Sequence, residues 1–390
     1  MLILSPSVLL STTADGYVAY DLHLDRLYRL NPTAALVVEL CDGTRDLEGL
    51  ERDLEAVVGD DWPHWRDWLA TAVRDRLVYE SMPDGVPPVA AAGPAELAKQ
   101  ADELQQRDRV LAAFVCQQRA SQLAPDDPDV SLSLGELAHI VGRRDDARSA
   151  YQHYLSRCPD DAEVAHLMTA LSDEAPPLRV SNRCIEQLYG RFAGFYDESM
   201  LGELGYCAPE RLHRVATSAL GARTGLGVLD LGCGTGLNGS RWRDQAAHLT
   251  GLDLSEPMIV KARARDVYDR LDTAEITAWL DTASERFDVI VACDTLIYFG
   301  DLTQVVRPAR RRLTVGGVLA FSLERGECDT YRLSDSGRFT HHPDYVSSVV
   351  SAAKLTLVSL DETVVRYEYG QPVVGLLAVC RRPETDLDVA

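Results

Sequence analysis

Val228-Leu229-Asp230-Leu231-Gly232-Cys233-Gly234-Thr235-Gly236 reads as a short apolar strand running into a glycine turn. Gly251-Leu252-Asp253-Leu254-Ser255 follows about twenty residues later, the separation at which a second strand ends on a carboxylate. Gly232, Gly234 and Gly236 permit a tight turn with close approach of the backbone to a ligand, and Asp253 can accept two ribose hydroxyls. A lone glycine turn says little. With the second strand and its acid the pair predicts a nucleoside cofactor site.

Asp230 separates two cofactor classes that share this architecture. A dinucleotide places pyrophosphate at the helix N-terminus, where a neighbouring carboxylate repels it. S-adenosylmethionine has no phosphate and offers an ammonium, a sulfonium and a ribose, all compatible with nearby acids. The segment resembles motif I of class I S-adenosylmethionine-dependent methyltransferases. Phe287-Asp-Val-Ile-Val-Ala-Cys-Asp294 and Leu313-Thr-Val-Gly-Gly-Val-Leu-Ala-Phe321 match the same group in order. So do Tyr189-Gly-Arg-Phe192-Ala-Gly-Phe195-Tyr196-Asp197, Asp294-Thr-Leu-Ile-Tyr298 and Gly337-Arg-Phe339-Thr-His341, stretches similar to methyltransferases fused to tetratricopeptide repeats. The resemblance implies that Tyr196 covers the cofactor, Asp253 takes the ribose, and Leu254 and Met258 pack on adenine. It also puts Gly232, Cys233, Gly234 and Gly236 at the methionine moiety, Asp230 near its ammonium, and Asp294 at the cofactor.

From Arg183 onward helices and strands alternate as in a doubly wound α/β, Rossmann-like sheet. Strands are expected at 227–231, 249–254, 274–280, 287–293 and 317–323, with 355–360 and 372–380 as a closing antiparallel pair turning at Gly370-Gln371-Pro372. Methyl transfer from a sulfonium is an in-line displacement, so the protein mainly aligns donor and acceptor and removes a proton where the acceptor carries one. His341 is the candidate general base, because an unperturbed imidazole titrates near neutrality, with Tyr298 beside it. Tyr345 and Arg366 are candidate acceptor contacts, Arg366 as a bidentate partner for a carboxylate. The exit Ala292-Cys293-Asp294-Thr295 lacks the Pro-Pro-aromatic sequence for conjugated amino groups and the Pro-Cys context of pyrimidine methylation. Oxygen, aliphatic nitrogen and activated carbon acceptors stay open.

At the other end, Tyr17 to Leu24 alternates in period two, Asp25-Arg26 turns, and Leu27 to Leu30 returns as a paired strand. Asn31-Pro32 opens a helix to Leu40, and further helices suit Leu47 to Val58 and Trp62 to Leu77. This winged-helix-like α+β module resembles the PqqD-like family of recognition elements for ribosomally made precursor peptides, through Leu30-Asn31, Cys41-Asp42-Gly43, Leu47 to Leu54 and Leu77-Val78. The resemblance implies a leader strand added to the sheet edge at Leu27, Tyr28 and Arg29, lying over Trp65 and Trp68.

Between the two ends, Leu123-Ala-Pro125-Asp-Asp-Pro-Asp-Val130 returns as Arg157-Cys-Pro159-Asp-Asp-Ala-Glu-Val164. That displacement is the tetratricopeptide period of about 34 residues, which predicts α-helical repeats serving either peptide contact or spacing. The multidomain division is 1–88 for the PqqD-like module, 89–175 for the repeats and 176–390 for the methyltransferase, with Pro176-Pro177 at the last boundary.

Hydrophobic residues make up 46% and charged residues 25% of 390, ordinary for a globular protein. A net charge of −21 argues against nucleic acid as a partner. No apolar run reaches membrane-spanning length, Met1 to Leu10 lacks the basic flank of an export signal, and the nine cysteines form no CxxC pair. A cytoplasmic protein with reduced thiols, no membrane and no metal is expected, with homo-oligomerisation open. The leading expectation is a methyltransferase acting on a precursor peptide, leader held by the first module and core methylated by the last, at a carboxylate oxygen. A small-molecule methyltransferase and a cofactor-binding escort for another enzyme are the alternatives.

Overall fold

The computed structural model describes residues 1–13, 16–58, 64–81, 92–368 and 370–384. They divide into two compact units, Met1–Asp160 and Asp161–Ala390. Trp62 and Pro63, expected to open a helix, lie outside the described residues.

In the first unit β1 (Ile3–Leu4), β2 (Val8–Thr13), β3 (Gly16–Asp21) and β4 (Arg26–Leu30) precede α1 (Pro32–Leu40), α2 (Leu47–Val58), α3 (Trp65–Arg74) and β5 (Val78–Tyr79). The antiparallel sheet β2-β3-β4 has β4 at one edge, and β1 pairs with β5. Asn31 caps α1 by accepting from the Ala34 amide, and Pro32 occupies the first turn, where its missing N–H costs nothing. The alternation expected along β3 is broken, since Val18, Ala19, Tyr20 and Asp21 are all buried. The reason is cover on both faces: Ala19 packs into the core with α1, while the far face meets α5 (Val110–Leu123), whose preceding Arg109 lies over the Tyr20 ring. Helices α4 (Pro94–Gln105), α5, α6 (Pro128–Ile140) and α7 (Arg144–Arg157) pack in sequence. A Cβ at Gly135 would stand 2.5 Å from the Tyr151 ring, so a glycine is what lets α6 and α7 approach.

The second unit opens with α8 (Ala162–Ala170), α9 (Asn182–Phe192), α10 (Tyr196–Glu198), a wide π turn at Ser199–Glu203 and α11 (Ala208–Leu220). There follow β6 (Leu226–Leu231), α12 (Gly239–Trp242), β7 (Ala246–Asp253), α13 (Glu256–Ala264), β8 (Arg270–Thr273), α14 (Ile276–Thr282), β9 (Phe287–Ala292), α15 (Thr303–Arg312) and β10 (Leu313–Arg325). The hairpin β11 (Tyr331–Leu333) and β12 (Phe339–His341), α16 (Pro343–Ala352), β13 (Thr356–Glu368) and β14 (Gln371–Arg381) complete it. Strands β8-β7-β6-β9-β10 are parallel, and β14 then β13 continue antiparallel. Burial on both faces explains the continuous apolar strands: Leu229, Leu231 and Ile290 pack toward α14, α15 and α16, while Val228, Val289 and Val291 pack toward α11. A Rossmann-like sheet of this kind binds ligands at the carboxyl ends of its strands beside the switch in strand order, here between β6 and its neighbours.

One expected strand is a helix. Residues 274–280 fall mostly in α14, because the Glu275 carboxylate accepts from the Thr277 and Ala278 amides and caps it. The strand in that layer is the short β8 just before.

Candidate functional site

Beyond β6 the chain turns through Gly232, Gly234 and Gly236, all at positive φ (67°, 54° and 92°). The Thr295 side chain fills the space where a Cβ on Gly232 would sit, at 2.4 Å. Asp253 at the tip of β7 holds the turn: its Oδ2 accepts from the Gly234 amide (2.9 Å) and its Oδ1 from the Ser255 amide (2.8 Å). Burial raises its carboxyl above the usual range, opposed by these amides.

The turn opens into a cavity of about 670 Å³ lined by Tyr189, Tyr196, Asp253, Leu254, Glu275, Ile276, Cys293, Asp294, Thr295 and Tyr298, with Arg179 and Val180 at one side. That side is closed by an extended segment, where the Val180 amide donates to Tyr298 O and the Gly300 amide donates to Leu178 O. Three tyrosines from three elements form one wall: the Tyr189 and Tyr298 hydroxyls are 2.8 Å apart, and Tyr196 lies at an angle to Tyr189 with ring centroids 6.2 Å apart. Three carboxylates against Arg179 make the lining acidic, and Arg179 is itself close to Glu275 (3.7 Å). An ammonium and a sulfonium suit such a lining and a pyrophosphate does not.

Asp294 is built into the wall at φ 50°. Ser322 Oγ donates to its Oδ1 and Arg366 Nη1 to its Oδ2 (3.1 and 3.0 Å). Arg366 spends its other nitrogens on Glu324 and on Glu368 (2.7 Å), and Arg338 donates to the same two acids. Arg366 is 4% exposed with every nitrogen engaged, so the expected role as partner of an acceptor carboxylate is corrected: it fixes the Asp294 wall.

Several other expected site residues lie elsewhere. Asp230 is fully buried behind the turn, accepting from Asn238 Nδ2 (2.8 Å) and the Tyr268 hydroxyl (2.7 Å), and burial pushes its carboxyl up to about 6. It does not line the cavity; the acidity inferred from it comes instead from Asp253, Glu275 and Asp294. Met258 is a core side chain of α13, Cys233 packs on Ile259 and Ala262, and Gly236 faces Tyr268 and Arg265. His341 is fully buried with Nε2 donating to Phe299 O (2.9 Å) and Gly300 O (3.2 Å), and burial pushes its pKa down to about 4. Neither it nor Tyr345, stacked on it with ring centroids 6.1 Å apart, lines the cavity. Both brace the loop after β9, and the general-base expectation for His341 is corrected. Tyr189, Glu275 and Thr295 were not singled out from the sequence. The capping position of Glu275 was the available signal for it, hidden by reading a strand there.

In the first unit a groove of about 400 Å³ runs between β4 and α3, lined by Tyr28, Arg29, Trp68, Thr71 and Asp75 among others. Tyr28 crosses it, its hydroxyl donating to Asp75 O (3.0 Å). Leu27 is half-buried on β4, paired across from Tyr20 on β3, and Trp65 lies outside the groove with Arg66 over its ring at 5.4 Å.

Residues 229–319 match the sequence family described as a methyltransferase domain. This unit carries a methyltransferase domain. The acidic, phosphate-averse cavity fits S-adenosylmethionine. The chain is 33% identical over 143 residues to the malonyl-[acyl-carrier protein] O-methyltransferase of Pseudescherichia vulneris, covering 37% of this chain and 54% of that protein. The same enzyme of Pectobacterium atrosepticum is 35% identical over 149 residues, covering 36% and 53%. The chain thus spans about half the length of the curated relatives it matches. Among solved structures, the N-methyltransferase NodS from Bradyrhizobium japonicum in complex with S-adenosyl-L-homocysteine aligns with a TM-score of 0.43 at 23% identity, over 51% of this chain and 99% of that one. Among the described residues no helix is long and apolar enough to cross a membrane, and no cluster of acids, histidines and cysteines suits a metal ion.

Proposed function

We propose that the protein transfers the methyl group of S-adenosylmethionine to a carboxylate oxygen of a ribosomally made precursor peptide, whose leader lies in the groove between β4 and α3. The observation that carries the transfer is the glycine turn gripped by Asp253 at the mouth of an acidic cavity. Bound there, the donor supplies an electrophilic methyl on a sulfonium. The acceptor oxygen forms the new bond as the sulfur–carbon bond breaks.

The lining supports an acceptor that is nucleophilic as it arrives. No histidine lines the cavity among the described residues, Asp294 is locked by Arg366 and Ser322, and burial raises the Tyr189, Tyr196 and Tyr298 hydroxyls away from ionisation. A carboxylate needs no base at neutral pH. The relatives are named for O-methylation of a malonyl group, whose free oxygens are those of a carboxylate. Peptide recognition is supported by the PqqD-like sequence pattern and by a groove joining an edge strand to Trp68, the geometry of strand addition. The helices after it, read as tetratricopeptide-like repeats, act in this proposal as spacers.

The relatives' names favour one second reading: the acceptor is a small acyl carboxylate held on a carrier protein, with the first unit as its dock. Incubating the protein and donor with a precursor peptide carrying its leader, and separately with a malonyl-loaded carrier protein, distinguishes them. The proposal expects a gain of one methyl, about 14 Da, on the peptide and its loss when the leader is removed. Methylation of the carrier alone would replace it.

A further inference from the structure

A short lid lies at the cofactor cavity, and it is fastened to the glycine turn at one carboxylate. Residues 194–205 leave α9 through Gly194, form α10 and the π turn at Ser199–Glu203, and end at Gly205 with φ 54°. Within them Tyr196 lines the cavity, while Phe195 and Leu201 are 55% and 57% exposed. Asp197 points the other way. Its Oδ1 accepts from the Thr235 hydroxyl inside the glycine turn, and its Oδ2 pairs with Arg265 just after α13. Arg265 in turn donates from Nε to Thr235 O at 2.8 Å. Three separate pieces of chain, the lid, the turn and the end of α13, therefore meet at one ion pair beside the cavity.

We infer that Asp197, with Arg265 and Thr235, is a clasp that holds the lid over the bound cofactor and so sets how fast the cofactor leaves. Asp197 is a positioning residue, acting through Tyr196 and the backbone of the glycine turn. The inference rests on the cofactor reading above. A clasp is distinct from a structural brace because the rest of the sheet is indifferent to it: the pair is part-exposed, with side chains 45% and 28% accessible, and ties no core strand. π turns of this kind recur at functional sites.

The test is the dissociation rate of S-adenosylhomocysteine from the full chain, followed by displacement with excess S-adenosylmethionine. Asp197→Ala is expected to speed dissociation about tenfold, as loss of a charge-assisted contact predicts. Asp197→Asn, which keeps an acceptor for Thr235, should fall between. The exchange of charges, Asp197→Arg with Arg265→Asp, should restore most of the slow rate, and Glu198→Ala, an equal change of charge on the same lid, should leave it unmoved. Raising salt should speed release from the unaltered protein and not from Asp197→Ala. Equal rates for Asp197→Ala and the unaltered protein would overturn the clasp. So would a fall in the melting temperature of the ligand-free Asp197→Ala protein as large as the fall in the ligand-bound form. If the unaltered protein fails to bind S-adenosylhomocysteine at all, it is the cofactor reading that fails.

Discussion

His341 shows how residue type and residue place diverge. Its motif position suggested a base, yet a neutral ring donating to two loop carbonyls is what the fold uses. The sign of its pH effect follows. An imidazole held near pKa 4 when folded and 6.5 when unfolded takes up its proton more readily in the unfolded chain. Its contribution is present above pH 6.5 and is lost as pH falls toward 4, to a maximum of about 3 kcal/mol. Urea unfolding at a series of pH values should show this slope in the unaltered protein and lack it in His341→Gln. For the cofactor, Asp253→Ala removes the acceptor of two backbone amides at the turn. S-adenosylhomocysteine affinity should drop roughly 10- to 100-fold by calorimetry. Asp253 was legible in sequence because a strand-tip acid at that spacing has few other uses. Asp230 was legible as an acid and misplaced as a contact, since its partners Asn238 and Tyr268 lie eight and 38 residues away and nothing local announces them.

At the scale of elements, the glycine turn and the groove carry the predictions. Gly232→Ala meets the Thr295 side chain in a backbone conformation hostile to L-residues, and should cost about 1–3 kcal/mol in chemical denaturation. In the groove, Trp68→Ala should weaken leader capture, read by fluorescence anisotropy of a labelled leader, while Trp65→Ala should weaken it less. The reverse ranking would move the peptide off this groove. The parallel strands were legible because buried strands are written as continuous apolar runs, and α1 because Asn31-Pro32 is a complete start signal. The strand reading of 274–280 failed because a short apolar run does not distinguish strand from helix, and the Glu275 cap decided it. The strand β2 went unread for a related reason: Val8-Leu9-Leu10 gives no alternation when the sheet face opposite the core is covered by helix α5.

At the scale of the molecule, the division into two compact units was not legible from repeats and motifs. The returned Pro-Asp-Asp segment spans both sides of the break after Asp160, so α8 belongs to the unit that holds the methyltransferase domain, packed on α9. A 34-residue repeat records sequence ancestry and local packing, and it does not say with which neighbour the last helix buries its face. The proposed carboxylate acceptor draws on chemistry that only the folded cavity displays, a lining without histidine among its described residues. All of it depends on the occupant of that cavity. Calorimetric titration of the folded full chain with S-adenosylhomocysteine tests this most directly: saturable binding of one molecule per chain is predicted, and no measurable binding of it or of S-adenosylmethionine would contradict the account.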